Sequence, residues 1–276
     1  MRTARAWVIA AALSTFAPAA FSFVQLKPST IQAFDRYASL SEQRMERDLH
    51  AGHFLYMDDH PDLKAKVHAG EILIEGRTTT DNGRPIPVPD GQIQDWLGMM
   101  FIPGANVRQI QAVLQDYDNY KQIYKPEVIE SRLLKHEDDN FDIFLRLYKK
   151  QILTVVLNCE YHVHYGEVDP QRLYVISQST RIAEVQDPNA DYGHEFPIGR
   201  DTGFLWRLNS YWRIEQADGG VYAECEAISL SRDVPFGMAW MISSFLERFP
   251  RESMINTLHE TRSAVEQRAR ATSALP

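Results

Sequence analysis

A run of strand-like segments with no helical interruption constrains this chain more than any other feature. Six such segments follow one another: 127–136, 141–150, 152–167, 171–185, 204–216 and 220–232. Turn sequences separate several of them, including Asp138-Asp139-Asn140, Asp169-Pro170 and Asp218-Gly219-Gly220. Consecutive strands joined by short turns usually pair as hairpins. The pattern therefore predicts a large antiparallel sheet.

Helical segments flank this run on both sides. Residues 92–102 indicate one more strand, after which Asn106 can cap a helix with a single apolar face. A short helical piece over 117–124 stops before Pro126. After Pro235 the apolar period becomes helical, and the stripe contains Met238, Met241, Ile242, Phe245, Phe249, Met254, Leu258, Thr261 and Val265. We expect Pro250 to break or kink this C-terminal helix, or to lie in the first turn of a second segment.

The segment 23–90 has a different pattern from the rest of the chain. Apolar residues at broadly helical spacing predict a helix over 30–50, which Ser29 or Thr30 can cap. A short strand is expected over 71–77, before the proline-rich stretch 85–89. Because such a length makes an independent core doubtful, we interpret 23–90 as an N-terminal extension that packs on the main domain.

The last predicted hairpin has two distinct faces. Trp206, Leu208, Ser210, Trp212 and Ile214 share one face, and a turn at 217–219 places small residues of the next strand opposite them, among them Ala223, Cys225 and Ala227. The other face carries Arg207, Asn209, Tyr211, Arg213, Glu224 and Glu226. Alternating charges of this kind are typical of a surface in water, so we expect one dry face and one solvated face.

Residues 1–22 resemble a cleaved signal peptide. Arg2 and Arg5 precede a short apolar stretch over 6–13, and small residues follow it. Cleavage after Ala19 and cleavage after Ser22 fit equally well. A membrane anchor is the alternative, but the apolar run is shorter than the roughly 20 residues that a spanning helix needs. The sequence therefore predicts a periplasmic or secreted protein.

Charge and cysteine content narrow the partners and the chemistry. The formal net charge is −8 and there is no long basic run, so a nucleic-acid partner has little electrostatic support. Cys159 and Cys225 are the two cysteines, and both fall on apolar strand faces. We expect buried free thiols, with a single disulfide as the alternative in an exported protein.

Two short motifs add a resemblance to a known family. Residues 116–120, which read Asp-Tyr-Asp-Asn-Tyr, lead to 124–128, and this passage looks like a second helix entering a second strand. Residues 231–235, which read Ser-Arg-Asp-Val-Pro, look like the passage from the last strand to a closing helix. Together with the element order, they make the chain resemble the START-like, or SRPBCC, superfamily over roughly 91–270, with 271–276 as a tail.

That resemblance implies the fold class and a mode of action. The fold would be α+β, of the helix-grip type: a curved antiparallel sheet of about seven strands around a long C-terminal helix, with the N-terminal extension added. The family implies a deep cavity between sheet and helix that holds lipids or other apolar molecules. It has no universal catalytic motif to transfer, so we predict no catalytic residue, no metal and no cofactor. We expect a monomer that contacts membranes at most transiently.

The apolar faces of the strands and the closing helix supply the candidate ligand-binding residues. These are Leu145, Tyr161, Val163, Trp206, Leu208, Trp212, Met238, Met241 and Phe245. Methionines suit a wall that adapts to varied ligands, although the same side chains could form plain core. The long segment 186–203 is interpreted as a gate over one mouth of the cavity.

Three other interpretations remain open at this point. Glu160, His162 and His164 share one strand face and could bind a divalent metal, although alternation with apolar neighbours favours a polar outer face. A polyketide cyclase-like or hydrolase-like enzyme could use pocket groups such as Arg146 or Tyr148. In the third interpretation the interior is filled by its own side chains, and the chain is a structural or partner-binding module.

Overall fold

The structure is a computed structural model that describes residues 23–150, 154–189, 192–233 and 239–273, without the side chains of 50, 51, 239–249, 272 and 273. The expected signal peptide and residues 274–276 of the expected tail lie outside these ranges, whereas residues 271–273 of that tail belong to the C-terminal helix. In chain order the elements are β1 (Val24–Gln25), α1 (Pro28–Ala51), a 3-10 turn (Tyr56–Asp59), α2 (Pro61–His68), β2 (Leu73–Gly76), β3 (Thr80–Asp81), β4 (Arg84–Pro85), β5 (Gly91–Pro103), α3 (Val107–Leu114), a second 3-10 turn (Tyr117–Asn119), α4 (Tyr120–Ile123), β6 (Val128–Glu137), β7 (Asn140–Lys150), β8 (Thr154–Asp169), β9 (Arg172–Glu184), β10 (Arg200–Asp201), β11 (Arg207–Ala217), β12 (Gly220–Arg232) and α5 (Ala239–Ser273).

Eight antiparallel strands form the central sheet. Their order is β2-β5-β12-β11-β9-β8-β7-β6, and α5 packs across β5 on the inner face. The predicted α+β helix-grip architecture, a curved antiparallel sheet with a C-terminal helix, is confirmed. The seven long strands are the predicted ones, and the N-terminal extension adds the short edge strand β2.

The register of the β11–β12 hairpin agrees with the predicted pairing of large and small residues. Trp212 lies opposite Cys225, and Ile214 lies opposite Ala223. The turn residues Asp218 and Gly219 both have positive φ, at 52° and 75°. Such angles belong to the tight turn whose twist matches that of paired strands. The turn chemistry therefore fixes which side chains of the two strands share the inner face.

The C-terminal helix continues through Pro250 instead of ending there. Residues Ala239–Ser273 form one helix of 35 residues with this proline inside it. Proline cannot donate the hydrogen bond to the carbonyl four residues earlier, which normally favours a break. Downstream, Met254 and Leu258 are buried against Gly98 of β5. Packing of the helix on the sheet thus compensates for the backbone hydrogen bond that is lost at Pro250.

The outer face of β11 and β12 is buried, so the prediction of a solvated face was wrong there. Asn209, Tyr211, Arg213, Glu224 and Glu226 are each no more than 9% exposed. The N-terminal extension covers them. Charged residues alternate along these strands because they pair with polar groups of the extension. A strand face exposed to water would show the same alternation in its sequence.

Specific hydrogen bonds hold the extension on this face. Backbone N–H groups of Tyr56 and Met57 donate to the two oxygens of Glu224 at 2.8 and 2.9 Å. The Arg213 guanidinium donates to the Phe54 carbonyl at 2.7 Å, and Arg44 forms an ion pair with Glu226. The extension is therefore tied to the sheet by partly and fully buried charges.

The start of α1 differs from the expected side-chain cap. The helix begins at Pro28, and its N-cap residue Lys27 makes no capping hydrogen bond through its side chain. Thr30 is fully buried and donates from its hydroxyl to the Pro89 carbonyl at 2.6 Å. Thr30, which was expected as a possible cap, instead connects the start of α1 to the end of the extension through this hydrogen bond.

Among the described residues, no helix has the length and apolar character required to span a bilayer.

Candidate functional site

A cavity of about 270 Å3 lies between the inner face of the sheet and α5. Its wall is built mainly from apolar side chains of β5 to β9, β11 and β12, closed by the α3–α4 segment at one end and by residues 250–257 of α5. Side chains that line it include Trp96, Ile143, Leu145, Leu147, Leu157, Val163, Val175, Leu208, Trp212 and Met254. Concave, mostly apolar spaces close to this size are typical of small-molecule sites.

Small residues at neighbouring positions create this space. Ser210 of β11 lies opposite Ser177 of β9 on one side and Ala227 of β12 on the other. Ala227 in turn lies opposite Trp96 of β5, and Ser177 lies opposite Val163 of β8. Adjacent side chains across a sheet share one face. A row of three short side chains between larger ones therefore leaves a trough in the inner face.

Buried tyrosines form one end of the cavity. The hydroxyls of Tyr117 and Tyr165 share a hydrogen bond of 2.8 Å, and Tyr165 donates to the Leu114 carbonyl at 3.0 Å. The Tyr124 hydroxyl lies 3.0 Å from the Thr261 hydroxyl of α5. Burial raises the pKa of Tyr124 to about 12 and holds the pKa of Tyr120 and Tyr165 above the ordinary tyrosine value. These phenols stay protonated at neutral pH and present aromatic surface rather than acid–base groups.

One ion pair lines the wall. Lys149 of β7 pairs with Glu127, which precedes β6, and both side chains are mostly buried, at 17% and 21% exposure. Burial lowers the pKa of Lys149 despite the favourable field of Glu127. Since each charge already has a partner of opposite sign, the pair adds polarity to the wall without adding net charge.

Five of the predicted ligand-binding residues lie in the cavity wall. They are Leu145, Tyr161, Val163, Leu208 and Trp212. Met238 lies outside the described residues, as do the side chains of Met241 and Phe245. Whether any of these residues contacts a ligand stays a prediction.

Trp206 lies on the other side of the sheet. Its indole Nε1 donates to Asp201 at 2.9 Å, and its ring packs in an outer cluster that includes Phe34 of α1 and Ile228. The Trp206 backbone N–H donates to the Leu230 carbonyl, although Leu230 is already the register partner of Arg207. Trp206 and Arg207 thus both lie opposite Leu230. The inward–outward alternation of β11 shifts by one residue at this point, and the indole points away from the cavity.

Several wall residues were not anticipated from the sequence. They include Trp96, Tyr117, Tyr120, Tyr124, Ser177, Phe204, Leu205 and Ser253. The tyrosines come from segments that were assigned only as helix. The row of small residues could have been recognised only by combining the registers of three strands, since each serine alone reads as an ordinary polar position.

The groups considered for catalysis or metal binding lie elsewhere. Arg146 donates to Asn158 and Glu130 on the outer face, and neither it nor Tyr148 is among the described side chains that line the cavity. His162 pairs with Asp142 at 2.7 Å and His164 with Asn140 at 3.0 Å. Within the described ranges no group of three or more histidine, cysteine or acidic side chains could hold a metal ion.

Both cysteines are buried free thiols. Cys225 lines the cavity, and Cys159 lies in the core beside it. Burial raises the pKa of Cys159 to about 12. Neither thiol is therefore a ready nucleophile.

The described part of the segment 186–203 packs on the outer face of the sheet. Glu195 accepts from the side-chain amide of Asn158 at 2.7 Å and forms an ion pair with Arg181. Phe204 and Leu205, which follow the segment, reach the cavity wall. The structure thus connects the segment to the cavity through its C-terminal end, and a gating motion stays a prediction.

Comparisons with known proteins give structural likeness only. No family model matches the chain, and no curated protein sequence matches it. Similar solved structures include an aromatase/cyclase, Zhui, from a Streptomyces species (12% identity, TM-score 0.48, covering 67% of this chain and 100% of that one). A STAR-related lipid transfer protein from Xanthomonas axonopodis is 17% identical, with a TM-score of 0.45 and coverage of 69% and 98%. Human STARD10 is 9% identical, with a TM-score of 0.45 and coverage of 78% and 82%.

Proposed function

We propose that this chain is a binding or carrier protein that encloses an apolar small molecule or lipid in the cavity between sheet and α5. The observation that carries the proposal is the space of about 270 Å3 that the described residues enclose with a mostly apolar wall. Transfer of ligand surface from water to such a wall is favourable by roughly 25 cal/mol per Å2 of apolar area. A structural module with a filled interior would not maintain this space.

The chemistry of the described wall favours binding over catalysis. The tyrosine hydroxyls are held protonated, and the Lys149–Glu127 pair is internally neutralised. General acid–base catalysis works best with a group whose pKa lies near the working pH. Binding needs only apolar area and a few polar groups for orientation, and both are in place.

We also propose that the protein acts outside the cytoplasm, as a monomer that touches membranes only transiently while it exchanges ligand. The basis is the basic, apolar and small-residue order of residues 1–22. Sequencing the N-terminus of the protein from a cell-envelope or medium fraction tests export, with a mature start at 20 or 23 expected. An intact N-terminus in the cytosolic fraction would contradict it. Light scattering of the purified protein and co-sedimentation with phosphatidylcholine vesicles test the other two points.

Native mass spectrometry of the protein purified from its source tests the binding function. We expect a bound molecule that organic solvent extracts and that is recovered at about one equivalent. Turnover of added polyketide-like substrates would instead favour the cyclase interpretation. An empty protein that also refuses apolar probes would contradict both.

A matched pair of variants locates the binding in this cavity. Ser210→Leu places a branched apolar side chain in the trough and should weaken binding of N-phenyl-1-naphthylamine, a neutral fluorescent probe, by about tenfold or more, because the ligand space is filled. Thr180→Leu makes a similar change at an exposed position of β9 and should leave binding unchanged. Equal affinities for the two variants would place the ligand elsewhere.

A further inference from the structure

Two residues of the cavity wall carry a hydroxyl group that has no strong hydrogen-bond partner among the described residues. The Tyr161 hydroxyl of β8 and the Ser253 hydroxyl of α5 are both buried, and no described nitrogen or oxygen atom bonds to either of them. Buried polar groups are nearly always paired, because an unpaired one costs about 1–3 kcal/mol. Two such groups on residues that line one cavity, one on the sheet and one on the helix, require an explanation.

The surroundings of Tyr161 offer its hydroxyl little hydrogen bonding within the protein. The residue is 5% exposed, and it lies opposite Ile143 on β7 and Ser179 on β9. The hydroxyl interacts with the Cys159 thiol on the same face of β8, but sulfur is a weak hydrogen-bond partner and does not satisfy a buried O–H group. Phenylalanine would fill the same volume without the cost.

Burial also fixes what this hydroxyl can do. It holds the pKa of Tyr161 well above the ordinary tyrosine value, so the group is a neutral O–H donor at physiological pH. The adjoining wall is apolar, formed by Ile143, Leu145 and Val163. A carboxylate moved against such a wall would lose its hydration, whereas a neutral carbonyl or hydroxyl loses far less.

Resting on the function proposed above, we infer that Tyr161 is a specificity-determining residue that donates to a neutral oxygen of the ligand, with Ser253 as a second hydroxyl contact from the helix. The ligand class is then an apolar molecule bearing a ketone, ester or alcohol oxygen along its length. Hydrocarbons would bind through burial of apolar surface area alone. Carboxylates would be disfavoured at this position.

A set of matched probes tests this inference on the full chain. 2-Acetylnaphthalene carries a neutral carbonyl, 2-isopropylnaphthalene has nearly the same shape without oxygen, and 2-naphthoate is anionic. Displacement of N-phenyl-1-naphthylamine should show the ketone binding about three- to tenfold more tightly than the hydrocarbon, the range expected for one hydrogen bond. Tyr161→Phe should abolish this preference, because the ketone and the hydrocarbon would then bind through buried apolar area alone, and Ser253→Ala should reduce the preference partially.

The unliganded variant supplies an independent readout. Since Tyr161→Phe removes an unpaired polar group, its Tm should equal the wild-type value or exceed it by about 2–4 °C. A marked fall in Tm would show that the hydroxyl is structural and would overturn the inference. A ketone preference that persists in Tyr161→Phe, or tighter binding of 2-naphthoate, would also overturn it. If no probe binds the wild type at all, the proposed function fails rather than this refinement of it.

Discussion

Ser177, Ser210 and Ala227 decide whether the inner face of this sheet is filled. Each belongs to a different strand, and the register brings them side by side opposite α5. Larger side chains at these positions would fill the trough, just as Val163 and Trp96 fill the positions on either side of it. The capacity to hold a ligand thus depends on the small size of these three side chains rather than on a sequence motif.

Buried carboxyl groups give the stability a defined pH dependence. Burial raises the pKa of Asp95 to about 8, and of Glu184 and Glu224 to about 7. In the unfolded chain such groups titrate near pH 4. Between these limits the folded state therefore holds more protons than the unfolded state. These three groups therefore contribute a decrease in the free energy of unfolding as the pH rises from about 4 to about 8.

Asp95→Asn tests this linkage at one residue. The variant keeps an acceptor for the Tyr37 hydroxyl, which lies 2.9 Å from the carboxylate, but removes the charge that burial disfavours. We expect a shallower pH dependence and a gain of about 1 kcal/mol at pH 8, with little change at pH 5. Urea unfolding at both pH values measures it. Asp35→Asn, which alters an exposed carboxylate on α1, is the control and should leave the slope as it is. An unchanged slope in Asp95→Asn would show that this carboxyl does not titrate in the range.

At the scale of elements, the position of α5 depends on one glycine. A Cβ atom on Gly98 of β5 would lie 2.5 Å from Leu258 and 2.8 Å from Met254 of the helix. Contacts that short cannot exist, so the helix or its side chains would have to move. Gly98 therefore lets α5 approach the sheet closely enough to close the cavity.

Gly98→Ala should destabilise the protein by about 1–3 kcal/mol, the usual cost of overpacking a core contact. Gly76→Ala is the matched control, because a Cβ on this β2 glycine would meet Trp96 at an ordinary 3.7 Å. Thermal unfolding followed by circular dichroism compares the two variants. Equal Tm values would mean that the helix does not rest on Gly98. Gly98→Ala should also change probe affinity, since α5 forms one wall of the cavity.

The elements show why some features followed from the sequence and others did not. Strand bounds were predicted to within a few residues, because turns such as Asp218-Gly219 and the alternation of apolar residues are local signals. The side of Trp206 was missed, since its direction depends on an irregular pairing with Leu230. The short helix α2 (Pro61–His68) was also missed, because only Val67 of this helix is buried and an apolar period is absent. Local pattern predicts elements, and pairing between distant strands determines which residues reach the site.

At the scale of the whole molecule, the N-terminal extension is a third layer rather than an appendage. Phe34 and Tyr37 of α1 are buried with Ile228 and Leu230 of β12. Phe54, Leu55 and Met57 are buried with Leu97, Met99 and Tyr222 in a second outer cluster. The sheet around β5, β11 and β12 is therefore covered on both faces, by α5 inside and by the extension outside.

Removing residues 1–90 should for this reason prevent stable folding of the remainder. The fragment 91–276 would expose the apolar residues of both outer clusters and would leave Glu224 without the two backbone donors that it has in the full chain. A fragment that begins at 23 keeps both clusters and is the control, expected to unfold cooperatively. Size-exclusion chromatography and thermal unfolding compare the two fragments.

We expect aggregation or the absence of a cooperative transition for 91–276.

Within the full chain, Arg44→Met tests the contribution of the charged residues to the same interface. It leaves the 8%-exposed Glu226 side chain without its ion pair and should cost roughly 2–3 kcal/mol. The double variant Arg44→Met with Glu226→Gln should recover part of that loss, because the unpaired charge is gone. A monomeric, cooperatively folding 91–276 fragment would show instead that the helix-grip layer is self-sufficient and that the extension is dispensable for folding.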